Sequence, residues 1–302
     1  MFLDTEYFSS TGNYDANGSK QALGANSSFQ TISMDSEFRY VPIFNLGLYS
    51  GLKFNNATAN NGTVSRNTSA LAAYVFGVDY HFVNSPMWDL YVDLSYSIAA
   101  ATVNSAADSA LASDGASEAK VVGFLTFDSD PLRFYTKLGG NYRTEGLSAL
   151  LIYGLGMDYA FGNSKLGLAI DGISTVKDDD YTGQTLTRDL VTARVNAGSK
   201  RYYSINPNLL EGQLYYEYLF GKSLNARIYA GTAFTGSNTA EGMTAGLSLN
   251  WSFGLTKNTL LREEVPNKTI LPNQEPGFKV DTDDGVDQKI FKPVVPPKAK
   301  GK

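Results

Sequence analysis

The chain has no cysteine and a single histidine in 302 residues. Without cysteine there is no disulfide framework, no thiol nucleophile and no cysteine-ligated metal. One histidine rules out metal ligation through several imidazoles and leaves His81 as the sole candidate for histidine chemistry. Charge is also scarce: 18% of residues are Asp, Glu, Lys or Arg, the net charge is -5 and the pI is about 5.0. Nucleic acid is therefore excluded as the main partner. No stretch reaches the roughly 18 to 20 continuous apolar residues that a membrane-spanning helix needs; Ala70 to Val78 and Leu147 to Met157 are short and broken by Gly or Ser. The start, Met1-Phe2-Leu3-Asp4, has neither the basic nor the apolar region of a signal peptide. That leaves an intracellular protein or a numbering that begins near a mature terminus.

Aromatics and glycine are abundant, with 17 Phe, 19 Tyr, 2 Trp and 29 Gly, a mix that suits strands and turns. Although 43% of residues are hydrophobic, they are interleaved with polar ones at a period of two. Met243, Ala245, Leu247, Leu249, Trp251 and Phe253 stand on one face against Thr244, Gly246, Ser248, Asn250 and Ser252 on the other. Trp88 to Ile98, Leu214 to Phe220 and Leu224 to Gly231 repeat the pattern. Weaker versions occupy 45–54, 70–82, 121–127, 132–138, 147–161 and 166–170.

Short turns around Pro42, Asn84 to Pro86, Ser129 to Pro131, Gly162 to Ser164 and Gly221 to Ser223 alternate with polar loops at Thr11 to Ser28, Asn55 to Asn67, Thr102 to Ser117 and Val176 to Thr185. Tyr40, Phe44, Tyr80, Phe82, Trp88, Phe127, Phe134, Tyr159, Phe161, Tyr218, Phe220, Trp251 and Phe253 gather beside the short turns, as an interfacial girdle would. A soluble sandwich would show the same alternation, but it has no reason to collect aromatics at one end. The prediction is an all-β fold: a closed antiparallel transmembrane barrel over residues 1–253. Its strand count is twelve, or fourteen if 186–205 forms two strands around Gly198.

Thr244, Gly246, Leu249, Trp251 and Phe253 resemble the closing-strand assembly signal of Gram-negative outer-membrane β-barrel proteins. The resemblance covers residues 1–253 in pattern only and matches no single family. Phe253 departs from the commonest arrangement, since 49 residues follow it. The resemblance implies a bacterial outer-membrane location, contacts with outer-membrane lipid and the barrel assembly machinery, and prior removal of a signal peptide.

Charges are costly on a lipid face, so the polar face is expected to point inward. Asp35, Glu37, Arg39, Lys53, Asp79, Asp89, Asp93, Arg133, Lys137, Asp158, Asp171, Glu211, Glu217 and Arg227 then line the lumen. The excess of carboxylates in that set predicts a channel for small hydrophilic solutes or ions that mildly prefers cations. The alternative is a closed structural or adhesive barrel whose inner charges pair and seal it. No catalytic residue, cofactor or metal is expected. His81 reads as an imidazole facing the rim, with no Ser or carboxylate beside it in any motif. Asp178-Asp179-Asp180 lacks the spacing and Gly of a calcium loop and reads as solvated. Residues 254–302 hold six of the ten prolines and carry a net charge of +2, against -7 for the rest. They read as an extended, disordered periplasmic arm, either a spacer or a ligand for a periplasmic protein or cell-wall polymer.

Overall fold

The computed structural model describes residues 1–253 except 105 and 222. Its elements are β1 (Phe2–Tyr14), β2 (Lys20–Ala22), β3 (Ser27–Ile43), β4 (Leu46–Asn61), β5 (Ser65–Asn84), β6 (Trp88–Ala99), β7 (Glu118–Ser129), β8 (Leu132–Arg143), β9 (Ala149–Phe161), β10 (Ser164–Lys177), α1 (Thr185–Val195), β11 (Asn208–Phe220), β12 (Leu224–Ser237) and β13 (Thr239–Trp251). Each long strand pairs antiparallel with the next, and β13 returns to pair with β1, so twelve strands close a barrel. The short β2 is a flap on the loop end of β1. Closure leaves no unpaired sheet edge, the condition for a sheet to cross a bilayer.

The outer face carries the apolar stripe. Leu90, Leu94, Tyr96, Ile98, Leu155, Leu166, Leu168, Leu247 and Trp251 are all exposed. Five ring pairs two residues apart mark the turn end: Tyr80 with Phe82, Tyr159 with Phe161, Tyr218 with Phe220, Trp251 with Phe253, and Trp88 with its cross-strand neighbour Phe127. Rings of this kind sit where hydrocarbon gives way to headgroups.

Several expected boundaries move. The loop expected over Asn55 to Asn67 is mostly strand: β4 has 16 residues and β5 has 20, more than the roughly 9 to 11 a span requires. The excess lies at the loop end, where the outer face turns from Leu and Phe to Asn, Thr and Ser. There Asn56 donates to Ser69 Oγ at 2.8 Å and Asn67 to Thr58 Oγ1 at 2.8 Å. Period two without an apolar side hides such a hairpin in the sequence. Residues 186–205 form no strands, which removes the count of fourteen: α1 occupies Thr185–Val195, with Val191 and Val195 one helical turn apart on its buried side. The extended arm predicted over 254–302 lies outside the described residues.

Candidate functional site: the inner face of the barrel

Because successive side chains alternate, every strand that shows lipid an apolar residue shows the interior its neighbour. The fourteen charged residues singled out in the sequence all lie on strands, on the face opposite the apolar stripe, and thirteen of them fall into three groups. In the first, Arg39 reaches Glu37 at 3.0 Å and Asp79 at 3.5 Å. His81 lies between two carboxylates, Nε2 3.4 Å from Asp79 and Nδ1 3.0 Å from Asp89. Its ring stacks on Tyr91, which stacks on Phe124. Asp93 accepts the Tyr49 hydroxyl at 2.7 Å. In the second group, Arg133 pairs with Asp158 at 2.5 Å, both nearly fully buried, and Tyr215 donates to the same carboxylate at 3.1 Å. Arg227 donates twice to Glu217, at 3.0 and 2.8 Å, and Lys165 stands 3.6 Å from that carboxylate's other oxygen. The third group is looser: Lys53 with Asp35 at 3.7 Å and Lys137 with Asp171 at 2.7 Å. Glu211 faces Asp171 directly across β10 and β11 and takes part in no ion pair among the described residues. Like-charged residues in that relation destabilise a sheet. Asp4 opposite Asp35, and Asp79 opposite Asp93, repeat it.

Tyrosine and glycine shape the same wall. Tyr49, Tyr135, Tyr153, Tyr215 and Tyr229 each lie directly opposite a glycine on the next strand: Gly77, Gly156, Gly172, Gly167 and Gly246 respectively. A Cβ at Gly167 would come within 2.1 Å of the Tyr215 ring, and one at Gly246 within 2.2 Å of the Tyr229 ring. The missing side chain therefore lets each ring lie against the wall instead of standing into the interior. Guanidinium groups cover three of these rings: Arg39 over Tyr49, Arg133 over Tyr135 and Arg227 over Tyr215, at 4.9, 5.9 and 4.3 Å.

At the loop end, the connections 100–117 and 178–207 fold inward. Ala110, Ala112 and Ala197 pack with Phe8, Phe29, Ala57, Ala59 and Ala240 from the barrel wall, and Tyr202 meets Phe29 edge-on. Val191 and Val195 of α1 pack on Leu111. The two connections are tied together: Asn196 Oδ1 accepts the Leu111 N–H at 2.9 Å, and Asp114 Oδ1 accepts the Tyr203 N–H at 2.5 Å. Asp114 is also 3.3 Å from Arg143. Burial raises the Asp114 carboxyl above its ordinary range, although Arg143 and the Tyr203 N–H pull the other way.

Several interior residues escaped the sequence reading. Asp4 accepts the Tyr229 and Ser248 hydroxyls. Glu6 pairs with Arg201 at 2.8 Å, and Lys120 with Glu118 at 2.6 Å. Glu118, Lys120 and Lys165 fall just outside runs whose limits were set by apolar residues, yet lie in phase with the polar face. Two expectations need correction. His81 has carboxylates beside it, because Asp79 shares its face two residues earlier and β6 brings Asp89 across. Asp179 is a buried ion-pair partner of Arg188 at 2.6 Å and not a solvated loop residue. Among the described residues no group of three or more His, Cys, Asp or Glu is placed to hold a metal. Thr244 and Gly246 of the predicted assembly signal lie on the inner face, Leu249 and Trp251 on the outer, and Trp251 packs on Phe253 with ring centroids 4.6 Å apart.

No protein-family model matches the chain, and no curated protein matches it in sequence. Among solved structures, an outer-membrane channel from Pseudomonas putida F1 is similar at a TM-score of 0.61 and 10% identity, over 83% of this chain and 95% of that one. The KdgM and NanC porins cover 84% of this chain and 100% of their own, at 9% and 7% identity and TM-scores of 0.46 and 0.47, too distant to bear on function. The fold is that of an outer-membrane β-barrel: closed, antiparallel and twelve-stranded.

Proposed function

We propose that the barrel is an outer-membrane channel for small hydrophilic solutes or ions, with a mild preference for cations. The observation that carries this reading is the inner wall, where charged side chains of β1 and β3 to β12 share one surface and glycines let the tyrosine rings lie back. A filled barrel has no use for that clearance, since its interior positions are occupied by interdigitating side chains. The cation preference rests on charge. Adding Asp4, Glu6 and Glu118 to the acids and Lys120, Lys165 and Arg201 to the bases leaves the carboxylate excess unchanged. Exclusion of anions from a wet lumen follows from such an excess. The channel neighbour at a TM-score of 0.61 is consistent with this role. In the same reading residues 254–302 serve as a periplasmic arm for a protein or cell-wall partner.

A second reading, a closed structural or adhesive barrel, draws on the two inward connections that pack into the mouth. Liposome swelling separates the two. Vesicles holding the protein should admit a small cationic amino sugar faster than a neutral sugar of similar size, and an anionic one more slowly. Vesicles that stay impermeable to all three would favour the closed barrel.

A further inference from the structure

The barrel wall and the segment that crosses its mouth are held by different forces. Neighbouring strands are joined by long backbone ladders. Residues 197–203 are tied to the strands through side chains: Asn13 donates to the Gly198 carbonyl at 2.9 Å and accepts the Lys200 N–H at 2.7 Å, Ser199 and Ser10 hydroxyls meet at 3.2 Å, and Arg201 donates to Glu6 at 2.8 Å. The Arg201 guanidinium lies 4.3 Å over the Phe8 ring. Beneath the segment the wall is mostly small, with Ala57, Ala59 and Ala240 beside Phe8 and Phe29. Little apolar surface is therefore wetted if the segment leaves.

The backbone of this segment is strained. Ala197, Tyr203 and Asn206 adopt φ of 53, 66 and 50 degrees, with Gly198 at 85 degrees. Left-handed conformations are ordinary for glycine and tolerable for Asn, but Ala and above all Tyr adopt them only where surrounding contacts impose it. The strained residues stand at the two ends of the segment, 197–198 and 203–206, where a hinge would need them. The side-chain bonds hold a conformation that the backbone alone would leave.

We propose that residues 197–206 form a strap that exchanges between the seated position across the mouth and a withdrawn one, latched at Glu6, Ser10 and Asn13, and so gates the lumen. The gating half rests on the channel reading; the exchange itself does not. Unlatching breaks one ion pair and a few neutral hydrogen bonds and relieves the left-handed residues, whereas every strand ladder stays intact.

The cysteine-free chain allows a clean test. The Ser10 and Ser199 hydroxyls are close enough that Ser10→Cys with Ser199→Cys should form a single disulfide. With the full chain folded in lipid, amide hydrogen exchange is read at Lys200 and Tyr203, and single-channel current is recorded before and after oxidation. The reduced protein should exchange at these amides at least tenfold faster than in the neighbouring strand 212–217. Oxidation should slow them at least tenfold and lower the open frequency, and reductant should restore both. Slow exchange in the reduced protein, or a verified disulfide that changes neither reading, would overturn the strap. Exchange that responds to the lock in a protein that never conducts would keep the strap and remove the channel. If the cysteine pair does not fold, Arg201→Gln takes its place: it should speed exchange at Lys200 at least tenfold, and an unchanged rate would overturn the proposal.

Discussion

The two ends of the barrel are built on opposite plans. At the turn end, five short connections join strands whose outer faces end in paired aromatic rings and whose inner faces carry tightly bonded arginine-carboxylate pairs. At the loop end the strands outrun the bilayer, the inner face becomes Ala and Phe, and two connections turn into the mouth on single side-chain contacts and left-handed backbone. Regular alternation specifies a surface that lipid must hold in one place. The irregular end is where the same barrel has room to change shape.

The largest effect should come from opening a turn-end pair. Arg133→Ala leaves the Asp158 carboxylate buried without its guanidinium. It is expected to cost about 3 to 5 kcal/mol, measured as a lower denaturant midpoint in lipid. Converting both residues to leucine should restore most of that, because the penalty belongs to the unpaired charge. If Arg133→Ala behaves like a loop substitution, the turn end is not the rigid half.

Next comes the lipid face. Leu94→Arg or Leu247→Arg should cost about 2 to 4 kcal/mol near the bilayer midplane and reduce the fraction that migrates as a heat-modifiable band. Asn56→Arg, on the same outer face but in the projecting hairpin, should leave that fraction unchanged. Equal losses would mean that the hairpin too lies in lipid.

Much of this contrast is legible in the sequence, and unequally. The twelve strands, the short-turn end and the aromatic girdle follow from period two and from rings beside turns, because lipid enforces one apolar residue in every two. The tyrosine-glycine matches are invisible to that reading. Tyr215 and Gly167 are 48 positions apart, and only the register of β10 and β11 makes them neighbours. The strap was hidden for another reason. Thr185 to Val195 has apolar residues at helical spacing, Leu186 with Leu190 and Val191 with Val195, which a search for alternation passes over. Asp4 and Glu6 were missed because Thr5 and Ser9 blur the apolar side of their strand.

The tyrosine-glycine contacts supply a middle-sized test. Gly167→Ala places a Cβ against the Tyr215 ring and should cost about 1 to 3 kcal/mol by overpacking, measured from the denaturant midpoint. Channel conductance should fall at the same time, because the ring is pushed inward. Gly162, in an open turn with nothing near its Cβ position, has a left-handed φ of 60 degrees, so Gly162→Asn should be nearly silent.

A smaller effect concerns pH at the loop end. The carboxyl of Asp114 titrates above its unfolded value, so the folded state holds its proton more tightly than the unfolded chain does. The stability this group contributes is complete below the unfolded carboxyl pKa and is lost as pH rises through the raised folded one. Exchange at Tyr203, whose amide Asp114 accepts, should therefore become more frequent across that window beyond the intrinsic effect of base. Asp114→Asn keeps an acceptor oxygen and should flatten the dependence. The smallest expected effect is that of removing residues 254–302: a chain ending at Phe253 should still insert, migrate as a heat-modifiable band and conduct, whereas Trp251→Ser with Phe253→Ser should impair insertion.

The central claim is that a charged, acid-rich inner wall encloses a path for solute. Its most direct test is the zero-current potential of single channels in a planar bilayer under a tenfold potassium chloride gradient. The account predicts discrete current steps and a reversal potential of the sign for cation selectivity, reduced when Asp89, Asp93, Glu211 and Glu217 are replaced by Asn or Gln. Steps that reverse at the chloride side of zero would contradict the charge argument, and a membrane that stays silent with correctly folded barrels would contradict the channel itself.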